Sequence, residues 1–381
     1  MKIVADQNIP ALSDILSGAG TLSYFSERNP SQEMLADADA LLVRSVTAVD
    51  KELLEQAPYL KFVASATIGT EHVNLPLLQE RGIAFAHAPG ANAQSVGEYV
   101  LCVVLDWLSH KPVYSVDEID VAIVGAGHTG RAAGKRLQAL GFNVHYYDPP
   151  LCKKGVKFVH DHWQRVLTAD IISCHVPLTD DGDFPTRHLF ESTALQSLHS
   201  EQLLVNASRG AVIDNNALLD RVIQGERPSI ALDVWENEPD ILPDLVPYTD
   251  IATPHIAGHS LEGKVGGAVM IANALLAHFE MPATKELADV LPKVEWPELD
   301  AAMLTSPESF NSWVKEHFNI HEDDKNFRRH GLTRDGFDSL RRNYRKESPR
   351  REFINQVVTC HNSEQYTQFL QLGFRARQLL K

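Results

Sequence analysis

Three residues far apart in the chain, Arg209, Glu238 and His255, carry the side chains needed to oxidise a 2-hydroxy acid. They lie in Val205-Asn206-Ala207-Ser208-Arg209-Gly210, in Asp233-Val234-Trp235-Glu236-Asn237-Glu238-Pro239 and in Thr253-Pro254-His255-Ile256-Ala257-Gly258, each after an apolar run of strand type. A guanidinium holds a carboxylate through two parallel charge-assisted hydrogen bonds and so fixes the carbon beside it. An imidazole takes the hydroxyl proton during oxidation and returns it in the reverse direction. A carboxylate next to that imidazole orients it and stabilises its protonated form. A nicotinamide cofactor carries the electrons in such chemistry, so no metal is expected.

The segment Val121-Ala122-Ile123-Val124-Gly125-Ala126-Gly127-His128-Thr129-Gly130 runs from an apolar strand into a helical pattern through a glycine-rich turn. Gly125 allows the tight turn, Gly127 lets the backbone approach a pyrophosphate, and Gly130 lets helix and strand pack closely. His128 and Thr129 open the helix, whose unpaired N–H groups and positive dipole end favour an anion. The next strand, Asn143-Val144-His145-Tyr146-Tyr147-Asp148, ends in a carboxylate placed to accept both ribose hydroxyls. Pro149 and Pro150 follow it, in place of an arginine that would neutralise a 2′-phosphate. The expected cofactor is NAD, not NADP.

The elements that must position these groups alternate short β-rich runs with helical stretches. Lys2–Ala5, Ala40–Val43, Lys61–Ala64 and Ile83–Ala86 form a first series, the pattern of a parallel α/β sheet. An amphipathic stretch from Ala93 to Leu108 leads to a second series: Val121–Val124, Val144–Tyr147, Ile171–Cys174, Leu203–Asn206, Ile230–Asp233 and Ile251–Thr253. Six strands suffice for a doubly wound nucleotide fold, whose functional side chains gather beyond the carboxyl ends of the strands. Proline-rich punctuation from Met281 to Pro297 marks a linker. The expected organisation is a substrate domain over 1–92 and 259–285, a nucleotide domain over 93–258 with hinges near Asn92–Gly97 and Thr253–Ser260, and a C-terminal unit over 286–381.

With 381 residues, 44% of them hydrophobic, the chain has material for two or three cores, and wholesale disorder is excluded. The formal net charge of -15 has the wrong sign for coating nucleic acid or an anionic membrane. Four scattered cysteines, Cys102, Cys152, Cys174 and Cys360, offer neither a disulfide framework nor a zinc cage. A soluble cytoplasmic protein acting on small molecules is expected. Residues 286–381 hold fifteen basic and fifteen acidic side chains, so the negative charge lies entirely before them. Within them, Lys325–Arg351 carries ten Lys or Arg against three Asp or Glu, a run read as a solvated face.

The motifs Gly125–Gly130, Asn206–Gly210, Asp233–Pro239 and Pro254–Gly258 resemble those of the D-isomer-specific 2-hydroxy acid dehydrogenases. The resemblance implies two Rossmann-like, doubly wound parallel-sheet domains, with catalytic roles for Arg209, Glu238 and His255. It also implies cofactor contacts at Val176, Ala207, Ser208, Arg209, Asp233 and Gly258. The contact at Val176 is one of backbone, because this position has a valine where a threonine is expected.

Ala5–Pro10, Leu42–Thr47, Ala66–His72, Ala88–Asn92 and Ala257–Lys264 further resemble a branch of that family that oxidises 4-phospho-D-erythronate to 2-oxo-3-hydroxy-4-phosphobutanoate in pyridoxal 5′-phosphate synthesis. That branch has an extra C-terminal α+β domain used for homodimerisation. Substrate contacts implied by the resemblance are Ser45, Thr67 and His259, the last standing where a tyrosine is expected. The substrate phosphate calls for positive charge, for which Arg44 and Lys264 are the candidates, with Arg342 and Arg345 as a further source across a dimer. Two alternatives remain at this level: a related dehydrogenase acting on 3-phosphoglycerate or an unphosphorylated acid, and a nucleotide-sensing binding protein.

Overall fold

A computed structural model describes residues 1–111, 115–283, 285–304 and 306–379. The chain divides into two compact units, Met1–Asn92 with Ser260–Val294, and Ala93–His259 with Glu295–Lys381. From Glu295 onward, the C-terminal segment expected as a unit of its own groups with the nucleotide domain. His259 lies in that unit too.

The first unit holds a parallel sheet of β1 (Lys2–Asp6), β2 (Thr21–Phe25), β3 (Ala40–Val43), β4 (Phe62–Ser65) and β5 (Ala84–His87), in the order β2-β1-β3-β4-β5. The continuous apolar runs of β3 and β4 are buried throughout, as strands covered on both faces must be. β2 was not expected from the sequence. It is an edge strand, and of Thr21-Leu-Ser-Tyr-Phe25 only Phe25 is buried, so it has neither an apolar run nor a clean alternation. Helix Leu261–His278 covers one face, packing Val265, Ala268, Ile271, Ala272 and Leu275 with Ile3, Ala5, Leu42 and Ala64. Ser260 caps that helix by accepting the Gly263 N–H at 2.8 Å. The carboxyl ends of β3 and β4 lead directly into Arg44-Ser45 and Ala66-Thr67.

The second unit holds seven parallel strands: β6 (Asp120–Val124), β7 (Asn143–Tyr147), β8 (Val159–His160), β9 (Ile171–Cys174), β10 (Leu203–Asn206), β11 (Ser229–Leu232) and β12 (Ile251–Ala252). Their order is β12-β11-β10-β9-β6-β7-β8, so the direction of winding reverses between β6 and β9. Six of the seven follow the sequence pattern. The exception, β8, is a two-residue edge.

Helix Ala93–Ser109 departs from the amphipathic expectation, because Ser95 to Asp106 are buried without interruption. Its second face is covered by residues remote in sequence: Phe310, Trp313, Val314, Phe318 and Phe353 share its core. The segment that supplies them contains helices Pro307–His317, Ile320–His330, Arg334–Arg342 and Ser363–Leu372. It also has a parallel sheet of β13 (Leu299–Asp300), β14 (Val357–Cys360) and β15 (Arg375–Gln378) in that order. The basic run is only partly a solvated face. Arg350 is 3% exposed, and Arg328 donates to Asp324 and to the carbonyls of Val246 and Thr249.

Candidate active site

The loop after β12 carries His255 in a backbone conformation that side chains rarely adopt, with φ at 58°. Asp233, 1% exposed at the end of β11, holds it there. One carboxylate oxygen accepts the Thr253 hydroxyl and the Ile256 N–H, both at 2.7 Å, and the other accepts the Ala257 N–H at 2.9 Å. The Asp233 carbonyl takes the His255 N–H at 2.6 Å. Since Thr253 spends its proton on Asp233, Tyr99 must donate to the Thr253 hydroxyl across their 2.8 Å contact. Burial raises the Asp233 carboxyl, against the opposing charge of His255 and these hydrogen bonds. The C-terminal segment adds a further tie, because Arg350 donates to the Ala257 carbonyl at 3.1 Å and to Glu98 at 3.1 Å.

Glu238 meets His255 directly, with 2.7 Å between Oε2 and Nδ1. Its other oxygen accepts the Trp235 N–H at 2.7 Å. Burial alone would raise the Glu238 carboxyl. The charge and hydrogen bond of His255, the charge of Arg341 and the Trp235 N–H together outweigh it, and the carboxyl sits below its ordinary range. The same loop is anchored through Glu236, which pairs with His188 Nε2 at 2.7 Å and accepts the Asn215 N–H at 3.2 Å. Among the described residues, His188, Asp214 and Glu236 are the three whose ligand atoms lie close enough to share a cation. Its two ring nitrogens face different carboxylates, however, the arrangement of a bridging imidazole.

Arg209 is presented by a turn that buried Asn206 shapes. The Asn206 side chain accepts the Ser208 N–H and hydroxyl and donates to the Arg209 carbonyl. Next in sequence, Gly210 lies so close to the Trp235–Glu236 backbone that a Cβ there would stand 1.8 Å from the Trp235 carbonyl oxygen. The loop of Arg209 and the loop of Glu238 are thus pressed together, and Glu238 in turn touches His255.

The glycine turn has the shape expected of it. Gly125, at φ 99°, passes within 2.8 Å of the His175 carbonyl as measured from an added Cβ, and a Cβ on Gly130 would strike the Gly125 carbonyl oxygen. Gly127 differs, with nothing within 4 Å, and it starts helix His128–Ala139 without any side-chain cap. That open, uncapped N-terminus fits a dinucleotide pyrophosphate. Asp148 accepts the Leu151 N–H at 3.0 Å and the Ala126 N–H at 2.9 Å, one on each oxygen, and each oxygen retains a lone pair for a ribose hydroxyl. Val176 lies against the turn, its side chain 3.0 Å from an added Gly125 Cβ.

In the first unit, Arg44 pairs with buried Asp6 at 2.9 Å. Lys264 is exposed and has no ion pair among the described residues; desolvation first, and the charge of Arg44 second, pull its ammonium below the ordinary lysine range. Ser45 is exposed. Thr67 joins Ser65 and His72 in a chain of hydrogen bonds. His259 belongs to the other unit, its ring edge-on to Tyr344 at 5.8 Å. Of the two arginines suggested by charge, Arg345 is taken by Asp323 at 3.3 Å, and Arg342 is exposed. The sequence reading missed Arg350, the anchoring task of Asp233 and the contact that requires Gly210. Only Gly210 left a local sign, as an unexplained glycine after the arginine.

Residues 98–257 match the family described as D-isomer specific 2-hydroxyacid dehydrogenase, NAD binding domain, and residues 290–373 match a domain of unknown function, DUF3410. The chain is 81% identical over 381 residues to erythronate-4-phosphate dehydrogenase of Idiomarina loihiensis, covering all of both chains. It is 44% identical over 374 residues to that of Psychromonas ingrahamii, covering 98% of this chain and 96% of the relative. Among solved structures, D-lactate dehydrogenase of Aquifex aeolicus, complexed with NAD and lactic acid, aligns with a TM-score of 0.58 and 20% identity over 73% of this chain and 95% of that one, a likeness of fold.

Proposed function

Because the chain belongs to the erythronate-4-phosphate dehydrogenases, a branch of the D-isomer specific 2-hydroxyacid dehydrogenases, we propose that Arg209, Glu238 and His255 are its catalytic set. The enzyme oxidises 4-phospho-D-erythronate in the synthesis of pyridoxal 5′-phosphate, with NAD as its cofactor. The observation that carries the residue assignment is the 2.7 Å pair of Glu238 and His255 on a loop anchored by Asp233.

When bound, NAD would supply the acceptor for the hydride that leaves the substrate C2. The chain does the rest. Glu238 occupies Nδ1 of His255, so Nε2 is the nitrogen left to take the hydroxyl proton, and the carboxylate stabilises the imidazolium that results. Arg209 clamps the substrate carboxylate and fixes the rotation of C2. Arg44 and Lys264 supply charge for the phosphate, with Ser45, Thr67 and His259 as further substrate contacts. Gly125, Gly127, His128, Thr129 and Gly130 hold the pyrophosphate, Asp148 the ribose, and the backbone around Val176, Ala207, Ser208, Asp233 and Gly258 the nicotinamide half.

We further propose a cytoplasmic homodimer formed through the C-terminal segment. No helix among the described residues is long and apolar enough to cross a membrane. The decisive experiment is turnover of purified protein with NAD and 4-phospho-D-erythronate against 3-phosphoglycerate. A preference of at least 100-fold for the former is expected, and equal rates would refute the substrate assignment.

A further inference from the structure

The hydroxyl of Thr67 has one proton and two partners among the described residues. It lies 3.0 Å from the Gly69 carbonyl oxygen and 2.6 Å from the Ser65 hydroxyl. A carbonyl only accepts, so the Thr67 proton goes to Gly69. Ser65 must then donate to Thr67, and its own remaining contact, 2.9 Å to His72 Nε2, is one it accepts. The order of protons along the chain is thereby fixed: His72 Nε2–H to Ser65, Ser65 to Thr67, Thr67 to Gly69. Burial, partly opposed by Glu71, holds the His72 imidazole below its ordinary range, which favours the neutral ring; the order of hydrogen bonds then places its one proton on Nε2. Ser65 is fully buried at the end of β4, so no solvent competes for its proton.

We infer that Thr67 meets its substrate only as a hydrogen-bond acceptor, held so by Ser65 and His72 as positioning residues, and that it selects a substrate hydroxyl over phosphate or carboxylate oxygens. The inference rests on the substrate proposed above, whose C3 hydroxyl is the donor that remains once the C2 hydroxyl gives its proton to His255. A phosphate or carboxylate oxygen placed against the remaining lone pair of Thr67 would meet repulsion. A hydroxyl satisfies it.

The test compares 4-phospho-D-erythronate with its 3-deoxy and 3-fluoro analogues, neither of which can donate at C3. In the unaltered enzyme, kcat/KM should fall about 10-fold or more for both analogues, since each leaves a site built for a donor unpaired. In Thr67→Val the parent and the analogues should differ by less than about 3-fold, and Thr67→Ser should restore the difference. His72→Gln, which keeps an N–H donor, should retain it, whereas His72→Leu should raise KM with little change in kcat. Equal use of the 3-fluoro analogue by the unaltered enzyme, or an unchanged ratio in Thr67→Val, overturns the inference. Independently of turnover, ¹⁵N spectra of histidine-labelled protein should show neutral His72 protonated on Nε2; a proton on Nδ1 overturns the chain. Failure to oxidise 4-phospho-D-erythronate alongside an Nε2 proton would refute the substrate and leave the order of hydrogen bonds standing.

Discussion

Around His255, charge is answered by charge: Glu238 holds the imidazole, three donors hold Asp233, and Arg350 reaches both Glu98 and the Ala257 carbonyl. Beyond the ends of β1 and β3 the pattern differs. Asp6 answers Arg44, and the ammonium of Lys264 carries no ion pair among the described residues, although Arg44 repels it. The difference fits the two proposed tasks. Proton transfer needs a ring fixed to within fractions of an ångström, so its surroundings are neutralised and rigid. Recognition of a phosphate dianion needs positive charge left unspent until the ligand arrives.

The first way to break the contrast is to remove the ring for which one region is built. His255→Gln should lower kcat by about 10³-fold, within the usual range for loss of a general base, while NADH affinity in a fluorescence titration stays within about 3-fold. Loss of NADH binding would mean that the loop had collapsed. Removing the support instead of the ring should act through stability. Arg350→Met leaves Glu98 in the interior without its nearest guanidinium, at a cost of about 3 kcal/mol in urea denaturation, with lower kcat following from a mobile Ala257. An unchanged urea midpoint would show that Arg136, 3.8 Å from Glu98, suffices.

The other region sharpens the contrast by parting two neighbouring cations. Lys264→Met should raise KM for the phosphorylated substrate about 10- to 100-fold, yet leave the melting temperature of the free protein unchanged or slightly higher, because it removes only repulsion. Arg44→Met should raise KM as well but lower the melting temperature, since Asp6 is then left buried with its charge unpaired. Equal thermal effects of the two substitutions would show that Lys264 has a structural partner in solution.

Much of this was legible in the sequence where a local motif dictates a local shape. The turn before Arg209 is such a case, because Asn206 shapes it from within a few positions; the His255 loop is legible as a motif, but Asp233 and Arg350 hold it from farther along the chain. Strands β2 and β8 were not, for opposite reasons of the same kind: one is half-exposed and the other two residues long, so neither shows a periodicity. The burial of both faces of helix Ala93–Ser109 was hidden as well, because its second cover comes from about 200 residues away. Arg350 looked like one more charge in a basic run for that reason, and its partners Glu98 and Ala257 are distant in sequence. The proton order at Thr67 depends on a carbonyl, Gly69, whose direction only the folded loop determines.

A smaller effect belongs to the cofactor turn, which shows a third way to treat a polar group: bury it without charge. His175 is buried beside Gly125, bonded through Nε2 to the Ser173 hydroxyl at 2.9 Å, and burial pushes it down to about 3. An unfolded histidine titrates near 6.5. Between about pH 6.5 and pH 3 the unfolded chain therefore binds a proton that the folded chain refuses, so stability falls as the pH is lowered through that window and is fully present above it. At pH 5 the loss due to this one ring is about 2 kcal/mol relative to pH 7.5. Urea midpoints measured at both values should show it, and His175→Asn should reduce the difference between them by about that amount. If the difference is the same in the variant, the proton is being taken up elsewhere, with His145, pushed down to about 4 by burial and by the charges of Arg165 and His160, the next ring to replace.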